Sequence, residues 1–272
     1  MTEAPVLYPL NTALGRFGIA NLVDSPDPFV SSMPAAGLVN PMTGLPTAGP
    51  LAVLVDHAAG LVNHYRRAGD EWTVSSELSL ELTPGASTVI ADKPDVPVVA
   101  TARPVGTRGS SAFGVCELAI GDDVIGIGSV RSVYVAHPGE FPQDWPDARI
   151  DGPRPTDLAE IMALRIGDGN GSPVLYQERN PVLNNNLAIV HGGVAAAGLE
   201  LAASAALNAD RAEQPLSTAS LRVNFLRQFF SGDQSRYVGT ALRVGRRSGV
   251  AEAQAVGTDG DVALVGRVTA YR

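Results

Sequence analysis

The chain has 272 residues and a formal net charge of −8, with 45% hydrophobic and 18% charged residues. This composition is typical of a globular protein with a packed core. The acidic balance argues against nucleic acid as the main partner, because phosphate binding needs a basic surface. Cys116 is the only cysteine, which excludes an intramolecular disulfide framework and a cysteine-rich metal site, and we expect no bound metal.

The beginning of the sequence does not resemble a targeting segment. An acid and prolines stand where a signal peptide needs a basic start and an apolar run. The apolar stretches stay shorter than the ~18 residues of a membrane span. The single cysteine also fits a reducing compartment. We therefore predict a cytoplasmic protein with no membrane span.

The first long helix is predicted at 49–67, in the sequence GPLAVLVDHAAGLVNHYRR. This helix is apolar nearly all round, so it needs neighbours on several sides. Asp56 is the exception, and it lies two turns after the helix start. A buried carboxylate without a partner is costly, so an acid here normally faces a polar site. The alternative is that it reaches solvent at the helix edge.

Alternating strands follow this helix. One of them runs into a turn at Pro84, and a later one covers 121–133 with a Gly/Asp turn ahead of it. A stretch rich in Pro, Gly and Asp at 136–155 comes next. This composition predicts a linker that crosses the surface.

The same order of elements returns in the second half, where a second apolar helix is predicted at 191–209. An offset of 144 residues pairs Gly49 with Gly193, Asp56 with Glu200 and Pro84 with Gln228. After the turn the first half carries about five additional residues, and 121–133 then matches 259–271. The repeat predicts an N-terminal domain at 1–135, the linker at 136–155 and a C-terminal domain at 156–272.

Each predicted half combines one long helix with a run of antiparallel strands, which is an α+β arrangement. A sheet that curls around a helix covers an apolar helix on several sides. We therefore predict two long helices, each wrapped by its own antiparallel sheet, with the two sheets joined edge to edge.

The segment before the second helix carries the most specific motif. Three asparagines at 184–186 precede LAIV and a His-Gly-Gly turn at 191–193, and NNLAIVHGGVAAAGLE is followed by STASLRVNFLRQF. This arrangement strongly resembles the PaaI-type acyl-CoA thioesterases of the hotdog superfamily. The resemblance covers 180–272 well and 40–135 only through the internal repeat. It implies a double hotdog that hydrolyses acyl-CoA, with CoA as part of the substrate and no cofactor.

The motif suits the attack of water on a thioester carbonyl. Negative charge then develops on the carbonyl oxygen, and unpaired N–H groups at a helix start can stabilise it. Gly192 and Gly193 allow a close approach to that backbone. Asn185 can add an amide donor, and His191 can hold the loop or contact the thioester. A carboxylate on the opposite side can hold the water and partly deprotonate it.

The family places the donors and the acid on different hotdog units, so the two halves should form two unequal sites within one chain. Site one combines Asn185, His191, Gly192 and Gly193 with Asp56. Its hydroxyl would come from Ser75 or Ser76, because Val74 stands at the equivalent position. Site two combines Glu200 and Thr218 with the turn at 47–50.

The turn of site two departs from the family pattern. Thr47 stands where the histidine should be, and Pro41 stands where the asparagine should be. Pro50 also removes a backbone donor. Since a formed oxyanion hole is usually the largest single catalytic contribution, we favour site one. The alternative role for the His-Gly-Gly turn is to pack a helix against a sheet.

CoA carries several phosphates, so an acidic chain needs a local basic patch to bind it. Arg108, Arg246 and Arg247 lie at equivalent hairpins of the two halves, and we predict that they contact CoA. The alternative is that these arginines are only solvated. The chain already contains the equivalent of a hotdog dimer, and it could pair further into a homodimer.

Two other functions remain open on the same fold. One is an acyl-CoA-binding protein without turnover, which fits a chain with two imperfect sites. The other is an enoyl-CoA hydratase, which needs a catalytic histidine and acid. The hydratase matches poorly, because His191 and Glu200 are nine residues apart within the His-Gly-Gly arrangement.

Overall fold

The computed structural model describes residues 5–143, 146, 153–169 and 172–272. Within these residues thirteen strands form one sheet, and every pair of neighbouring strands is antiparallel. This confirms the predicted large antiparallel sheet with few helices. No helix of the described ranges is long and apolar enough to cross a membrane.

The elements follow the chain in two similar series. The first half contains strands β1 (Val6–Leu7), β2 (Ala20–Val23), β3 (Phe29–Met33), β4 (Glu71–Leu82), β5 (Val98–Val105), β6 (Ser111–Ile120) and β7 (Asp123–Ala136), with helices α1 (Ala13–Arg16), α2 (Leu51–His64) and α3 (Ala86–Asp92). The second half contains strands β8 (Leu164–Gly169), β9 (Ser172–Gln177), β10 (Ser217–Phe225), β11 (Arg236–Val244), β12 (Ser248–Val256) and β13 (Val262–Tyr271), with helices α4 (Leu158–Met162) and α5 (Gly192–Asn208) and a 3-10 turn at Pro181–Leu183.

The order of the strands is symmetric about the middle of the sheet. It reads β1-β2-β3-β5-β6-β7-β4-β10-β13-β12-β11-β9-β8. Strands β4 and β10 pair at the centre, with Ser79 opposite Arg222. Strands β7 and β13 flank this pair, followed by β6 and β12. An approximate twofold axis through the central pair therefore relates the two halves, which are joined edge to edge.

The two long helices are the core of the halves. In α2, Val53, Leu54 and Val55 are completely buried, and the helix contacts β3, β4, β5, β6 and β7. Helix α5 contacts β11, β12 and β13. Gly239 on β11 permits this approach, because a Cβ there would lie 2.0 Å from the Ala202 carbonyl oxygen. Burial of such aliphatic side chains contributes ~1.5–3 kcal/mol each, so wrapping by strands stabilises both helices.

Helices α2 and α5 also pack against each other. A Cβ on Gly193 would lie 2.5 Å from the Val53 Cα, and a Cβ on Gly49 would lie 2.3 Å from Glu200 Oε2. The contacts thus join the start of each helix to the interior of the other. The helices therefore run antiparallel, and this arrangement brings each helix start to an acid of the opposite half.

The five additional residues of the first half form part of a helix. Glu77 pairs with Arg131 across β4 and β7, 54 residues away. The equivalent pair of the second half, Ser220 and Thr269, is only 49 residues apart. Helix α3 lies between the paired strands of the first half, whereas 226–235 in the second half has no helix. Helix α3 therefore distinguishes the first half from the second.

The predicted linker at 136–155 lies partly outside the described residues. Its first residue, Ala136, is still the last residue of β7. The described remainder, 137–143, 146 and 153–155, contains no helix or strand. Gln143 contacts the loop before α5, where its N–H donates to the Asn186 carbonyl at 3.3 Å. The domain boundaries at 135 and 156 remain predictions.

Candidate active site

Site one forms where the start of α5 meets the acid of α2. The Gly193 N–H donates to Asp56 Oδ2 at 2.7 Å. The Ser75 hydroxyl donates to Asp56 Oδ1 at 2.8 Å. The Asp56 side chain is 9% exposed, so its charge is balanced by these two donors rather than by bulk water. Both halves of the chain therefore contribute to one cluster.

Ser75, and not Ser76, supplies the hydroxyl of site one. The pairing of β4 with β7 shifts between Ser75 and Glu77, which is a β-bulge at Ser76. The Ser76 hydroxyl instead donates to the Arg131 carbonyl at 3.2 Å. The bulge is repeated in β10, where the register shifts between Thr218 and Ser220. The equivalent of Thr218 is thus Ser75, one residue later than the helix offset places it.

His191 is the N-cap of α5. Its Nδ1 accepts from the Gly193 N–H at 3.2 Å and lies 3.4 Å from Asp56 Oδ2. Burial lowers the pKa of His191, although the neighbouring Asp56 carboxylate opposes this shift. The ring is therefore neutral near pH 7. With Nδ1 as the acceptor, the ring proton lies on Nε2, where it can be donated to another group.

Gly192 gives site one an unpaired backbone donor. It is the first residue of α5, so its N–H has no acceptor within the helix. No other acceptor in the described part of the chain takes this N–H. A Cβ on Gly192 would lie 2.8 Å from Asp56 Oδ2 and 3.3 Å from the Phe225 ring. A glycine is therefore needed at 192 for the Asp56 carboxylate to lie this close to the start of α5.

Asn185 lies in the loop before α5, but its hydrogen bonds hold that loop. The side-chain Oδ1 of Asn185 accepts from the Leu187 N–H at 2.9 Å. The backbone N–H of Asn185 donates to the Ile189 carbonyl at 2.8 Å. This is an Asx-type turn. The structure thus places Asn185 beside the His-Gly-Gly turn without a hydrogen bond to Asp56 or His191. Its predicted role as an oxyanion donor remains a prediction.

Site two is the related cluster around Glu200, which is only 1% exposed. Thr218 donates to its Oε1 at 2.5 Å and Thr47 donates to its Oε2 at 2.8 Å. Burial raises the pKa of Glu200, and the hydrogen bonds from the two threonines oppose this rise. Thr47 therefore occupies the place that His191 has in site one.

Most backbone donors at the start of α2 are already used. Three N–H groups there donate to carbonyls of the preceding turn: Leu51 to Ala48 at 3.0 Å, Ala52 to Gly49 at 3.0 Å and Val53 to Pro50 at 2.9 Å. The Gly49 N–H donates to the Thr47 hydroxyl at 3.0 Å, and Pro50 has no N–H. The Ala48 N–H, which is the equivalent of the Gly192 N–H, donates to no acceptor in the described part of the chain, so one amide stays free at each helix start.

Two hydrogen bonds of Asn40 lie beside site two. Asn40 is buried, and its amide donates to the Leu201 carbonyl at 2.8 Å and to the Ser204 hydroxyl at 3.0 Å. These bonds tie the loop before α2 to α5. The signal in the sequence was the position of Asn40, one residue from that of the family asparagine.

The arginines predicted to bind CoA lie on hairpins, as expected from their spacing. Arg108 forms an ion pair with Glu71, and its guanidinium lies 4.5 Å from the centre of the Tyr134 ring. Arg246 and Arg247 are exposed in the turn between β11 and β12. None of the hydrogen bonds or ion pairs of the described residues connects these three arginines to site one or site two. Their contact with CoA remains a prediction.

The chain is similar to one family of proteins in sequence and to several solved structures in fold. The model of the thioesterase superfamily matches residues 187–264, which include the start of α5 and both Glu200 and Thr218. A search of curated protein sequences found no match.

Solved structures resemble this chain over nearly its whole length. The TesB protein of Mycobacterium avium subspecies paratuberculosis has a TM-score of 0.64 at 11% identity, over 92% of this chain and 94% of that one. The acyl-CoA thioesterase II TesB2 of Mycobacterium marinum has a TM-score of 0.58 at 16% identity, over 89% and 92%. A conserved protein with a hot dog fold from Alicyclobacillus acidocaldarius has a TM-score of 0.55 at 16% identity, over 93% and 95%. The chain therefore shares the fold of these proteins.

Proposed function

We propose that the chain is a double hotdog thioesterase of the PaaI type, which hydrolyses acyl-CoA at site one. The observation that carries this proposal is the contact between Asp56 of the first half and the start of α5 in the second. It joins a carboxylate, a hydroxyl and a free helix amide in one cluster. The match of the thioesterase superfamily to 187–264 supports thioester hydrolysis, and the name of the Mycobacterium marinum protein supports acyl-CoA as the substrate class.

In the proposed reaction Asp56 positions a water molecule and accepts one of its protons. The water oxygen attacks the thioester carbonyl carbon, and the carbonyl oxygen becomes negatively charged. The Gly192 N–H, reinforced by the positive end of the α5 dipole, stabilises this charge. Collapse of the intermediate breaks the carbon–sulfur bond, and the proton held by Asp56 passes to the departing thiolate. The products are a carboxylic acid and free CoA.

Site one is the better catalytic candidate because of its donors. Removal of one oxyanion donor costs ~3–4 kcal/mol of activation free energy in well-studied cases. Site one offers the free Gly192 N–H together with the Nε2–H of neutral His191. In site two Thr47 stands in the place of His191, and its hydroxyl already donates to Glu200. The proposal requires no metal and no cofactor beyond the CoA of the substrate.

A second candidate is an acyl-CoA-binding protein without turnover. One observation favours it, since Asp56 Oδ2 already accepts the Gly193 N–H, and a carboxylate held there is less free to activate water. The hydratase alternative considered His191 together with Glu200, and these two side chains lie in different sites: His191 contacts Asp56, whereas Glu200 contacts Thr47 and Thr218.

A hydrolysis panel distinguishes these candidates. Acyl-CoA substrates of graded chain length, together with aromatic ones, would be incubated with the protein while free thiol is measured. We expect thiol release that is linear in enzyme concentration for at least one chain length. Saturable binding of every acyl-CoA with no thiol release would favour the binding protein instead.

The neighbouring serines of β4 provide a matched pair of variants. Ser75→Ala removes the hydroxyl that donates to Asp56, and we expect kcat to fall by roughly tenfold because the carboxylate loses one of its two orienting bonds. Ser76→Ala removes a hydroxyl that contacts only a carbonyl of β7, so kcat should stay near that of the wild type. Steady-state kinetics with an acyl-CoA from the panel measures both. Equal losses in the two variants would contradict the placement of Ser75.

A further inference from the structure

Residues 137–143, which follow β7 directly, connect the two halves beside site one. We call this segment the strap. It contains no helix or strand, and it belongs to the linker predicted at 136–155. At its beginning the His137 N–H donates to the Asp70 carbonyl, just before β4, at 2.9 Å. At Gln143 it contacts the loop before α5. The strap therefore runs from the first half of the chain to the second.

Trp72, the second residue of β4, anchors the strap to the first half. The centre of its ring lies 5.6 Å from that of His137 and 4.5 Å from that of Phe141. The ring of His64, the last residue of α2, also contacts Trp72, with the centres 4.5 Å apart. Aromatic pairs of this kind contribute ~0.5–1.5 kcal/mol each beyond the area that they bury. The strap is thus held against the start of β4 and the end of α2.

Gln143 binds the loop before α5 through three hydrogen bonds. Its side-chain amide donates to the Pro181 carbonyl at 3.1 Å. Its side-chain oxygen accepts from the Asn184 amide at 3.1 Å. Its backbone N–H donates to the Asn186 carbonyl at 3.3 Å. One residue of the strap therefore fixes three points of the loop.

The same loop carries the donors of site one. The His191 N–H donates to the Leu183 carbonyl at 2.9 Å, and Asn184 forms an antiparallel bridge with Val190. Gly192, with its free N–H, follows directly. A displacement of the residues that Gln143 binds would therefore move the start of α5.

The other end of the strap lies close to the acid of site one. Ser75, which donates to Asp56, lies three residues after Trp72 on β4. Asp56 lies roughly two turns before His64 on α2. The strap thus connects the elements that carry the carboxylate and hydroxyl to the loop that carries the donors. Catalysis is sensitive to this spacing, because a shift of about 1 Å can cost ~hundredfold in rate.

Site two is held together in a different way. Trp72 lies three residues before Ser75, and the residue three before Thr218 is Pro215, which has no aromatic ring. The loop before α2 is bound to α5 directly by the Asn40 amide. The aromatic anchor is therefore a feature of site one.

We propose that the strap sets the position of the oxyanion donors relative to Asp56, with Gln143 as the positioning residue. The inference rests on the proposed function for the reaction that it serves. Gln143 acts through Asn184 and the loop, and it contacts no reacting atom. The linker between the halves would thus be part of the catalytic apparatus.

Steady-state kinetics with a substrate of the panel, such as octanoyl-CoA, tests the inference. Gln143→Ala should lower kcat by ~tenfold or more and keep KM within ~threefold, because oxyanion donors act in the transition state. Gln143→Met keeps the length of the side chain without its hydrogen bonds and should lose as much. Glu140→Ala changes an exposed side chain of the same strap and should stay near the wild type. A wild-type kcat in Gln143→Ala would overturn the inference.

A double-mutant cycle tests the route through the loop. Asn184→Ala removes the bond to Gln143 from the other side. The loss of kcat in Gln143→Ala/Asn184→Ala should fall well short of the product of the two single losses. Losses that multiply would mean that the two residues act independently, which would overturn the proposed route.

Hydrogen exchange followed by NMR tests the positioning without any turnover. The Gly193 N–H donates to Asp56, so its exchange reports the contact between the halves. In Gln143→Ala this exchange should accelerate by ~fivefold or more, the effect of losing one typical hydrogen bond. The amide of Val268, a completely buried residue of β13, should exchange as in the wild type, which excludes global unfolding. Unchanged exchange at Gly193 would overturn the inference.

The proposed function can fail separately. If the wild type releases no thiol but Gly193 exchanges faster in Gln143→Ala and not in Glu140→Ala, the hydrolytic role of site one is wrong, while the strap still positions the start of α5. If thiol is released and Gln143→Ala matches the wild type in kcat and in exchange, hydrolysis stands and the role of the strap is wrong.

Discussion

Asp56→Asn is expected to lower kcat/KM for acyl-CoA hydrolysis at least ~hundredfold, which is the range for loss of a positioned general base. The amide has the shape of the carboxylate: its oxygen can accept from the Gly193 N–H in the place of Oδ2, and its NH2 group can donate to the Ser75 hydroxyl in the place of Oδ1. The fold should therefore be retained, while the group that takes the proton from water is lost. Steady-state kinetics with thiol detection measures the effect.

Glu200→Gln is the matched control, because it makes the same change at the equivalent position of α5. We expect a loss of less than ~tenfold there, since the Thr47 hydroxyl of site two already donates to Glu200 and cannot act as a donor to the oxyanion as His191 can in site one. The reverse pattern, with a severe loss in Glu200→Gln and a small one in Asp56→Asn, would move hydrolysis to site two. In that case Thr218→Ala should also be severe. Similar partial losses in both variants would mean that both sites hydrolyse substrate.

Gly193→Ala is expected to destabilise the protein by ~3 kcal/mol or more, the upper range for overpacking a core. The added Cβ would lie 2.5 Å from the Val53 Cα and 2.8 Å from the Ala52 carbonyl oxygen. Both are backbone atoms of α2, so no side chain can rotate away. The start of α5 must move, and the contact between Gly193 and Asp56 is lost with it.

Gly60→Ala is the control, and we expect it to change the free energy of unfolding in the opposite direction. Gly60 lies inside α2, and an added Cβ would be 3.9 Å from its nearest neighbour, Asp56 Oδ1. Alanine favours a helix interior over glycine by ~0.5–1 kcal/mol, so this variant should be stabilised. Urea denaturation of both variants gives the two free energies of unfolding. A Gly193→Ala variant as stable as the wild type would contradict the helix packing described above.

The sequence predicted the two helices well because both are continuous apolar stretches. Helix α2 begins at Leu51 rather than 49 and ends at His64 rather than 67, and α5 covers Gly192–Asn208 rather than 191–209. The repeat also paired Asp56 with Glu200, and the structure places each acid at the start of the opposite helix. A single offset could carry this information, since the acid follows the turn glycine by seven residues in both halves, from Gly49 to Asp56 and from Gly193 to Glu200.

Other parts of the site depend on contacts that a linear pattern does not contain. The choice between Ser75 and Ser76 was open in the sequence, and the bulge in β4 decides it. The ion pair of Arg108 with Glu71 joins hairpin and strand across 37 residues. Such choices among competing partners are made by the tertiary structure.

Helix α3 was also beyond sequence reasoning. The five additional residues of the first half were visible as a gap in the repeat. Their packing as part of α3 was not, because a short helix carries little periodic signal.

The most direct test of the account is hydrolysis by the double variant Asp56→Asn/Glu200→Gln. Helices α2 and α5 each contain only one carboxylate, so the double variant removes the acid from both sites while keeping its shape. With octanoyl-CoA as substrate and free thiol as the readout, we predict a rate at least ~hundredfold below that of the wild type. A double variant that hydrolyses octanoyl-CoA at the wild-type rate would contradict the proposal that a helix carboxylate activates the water.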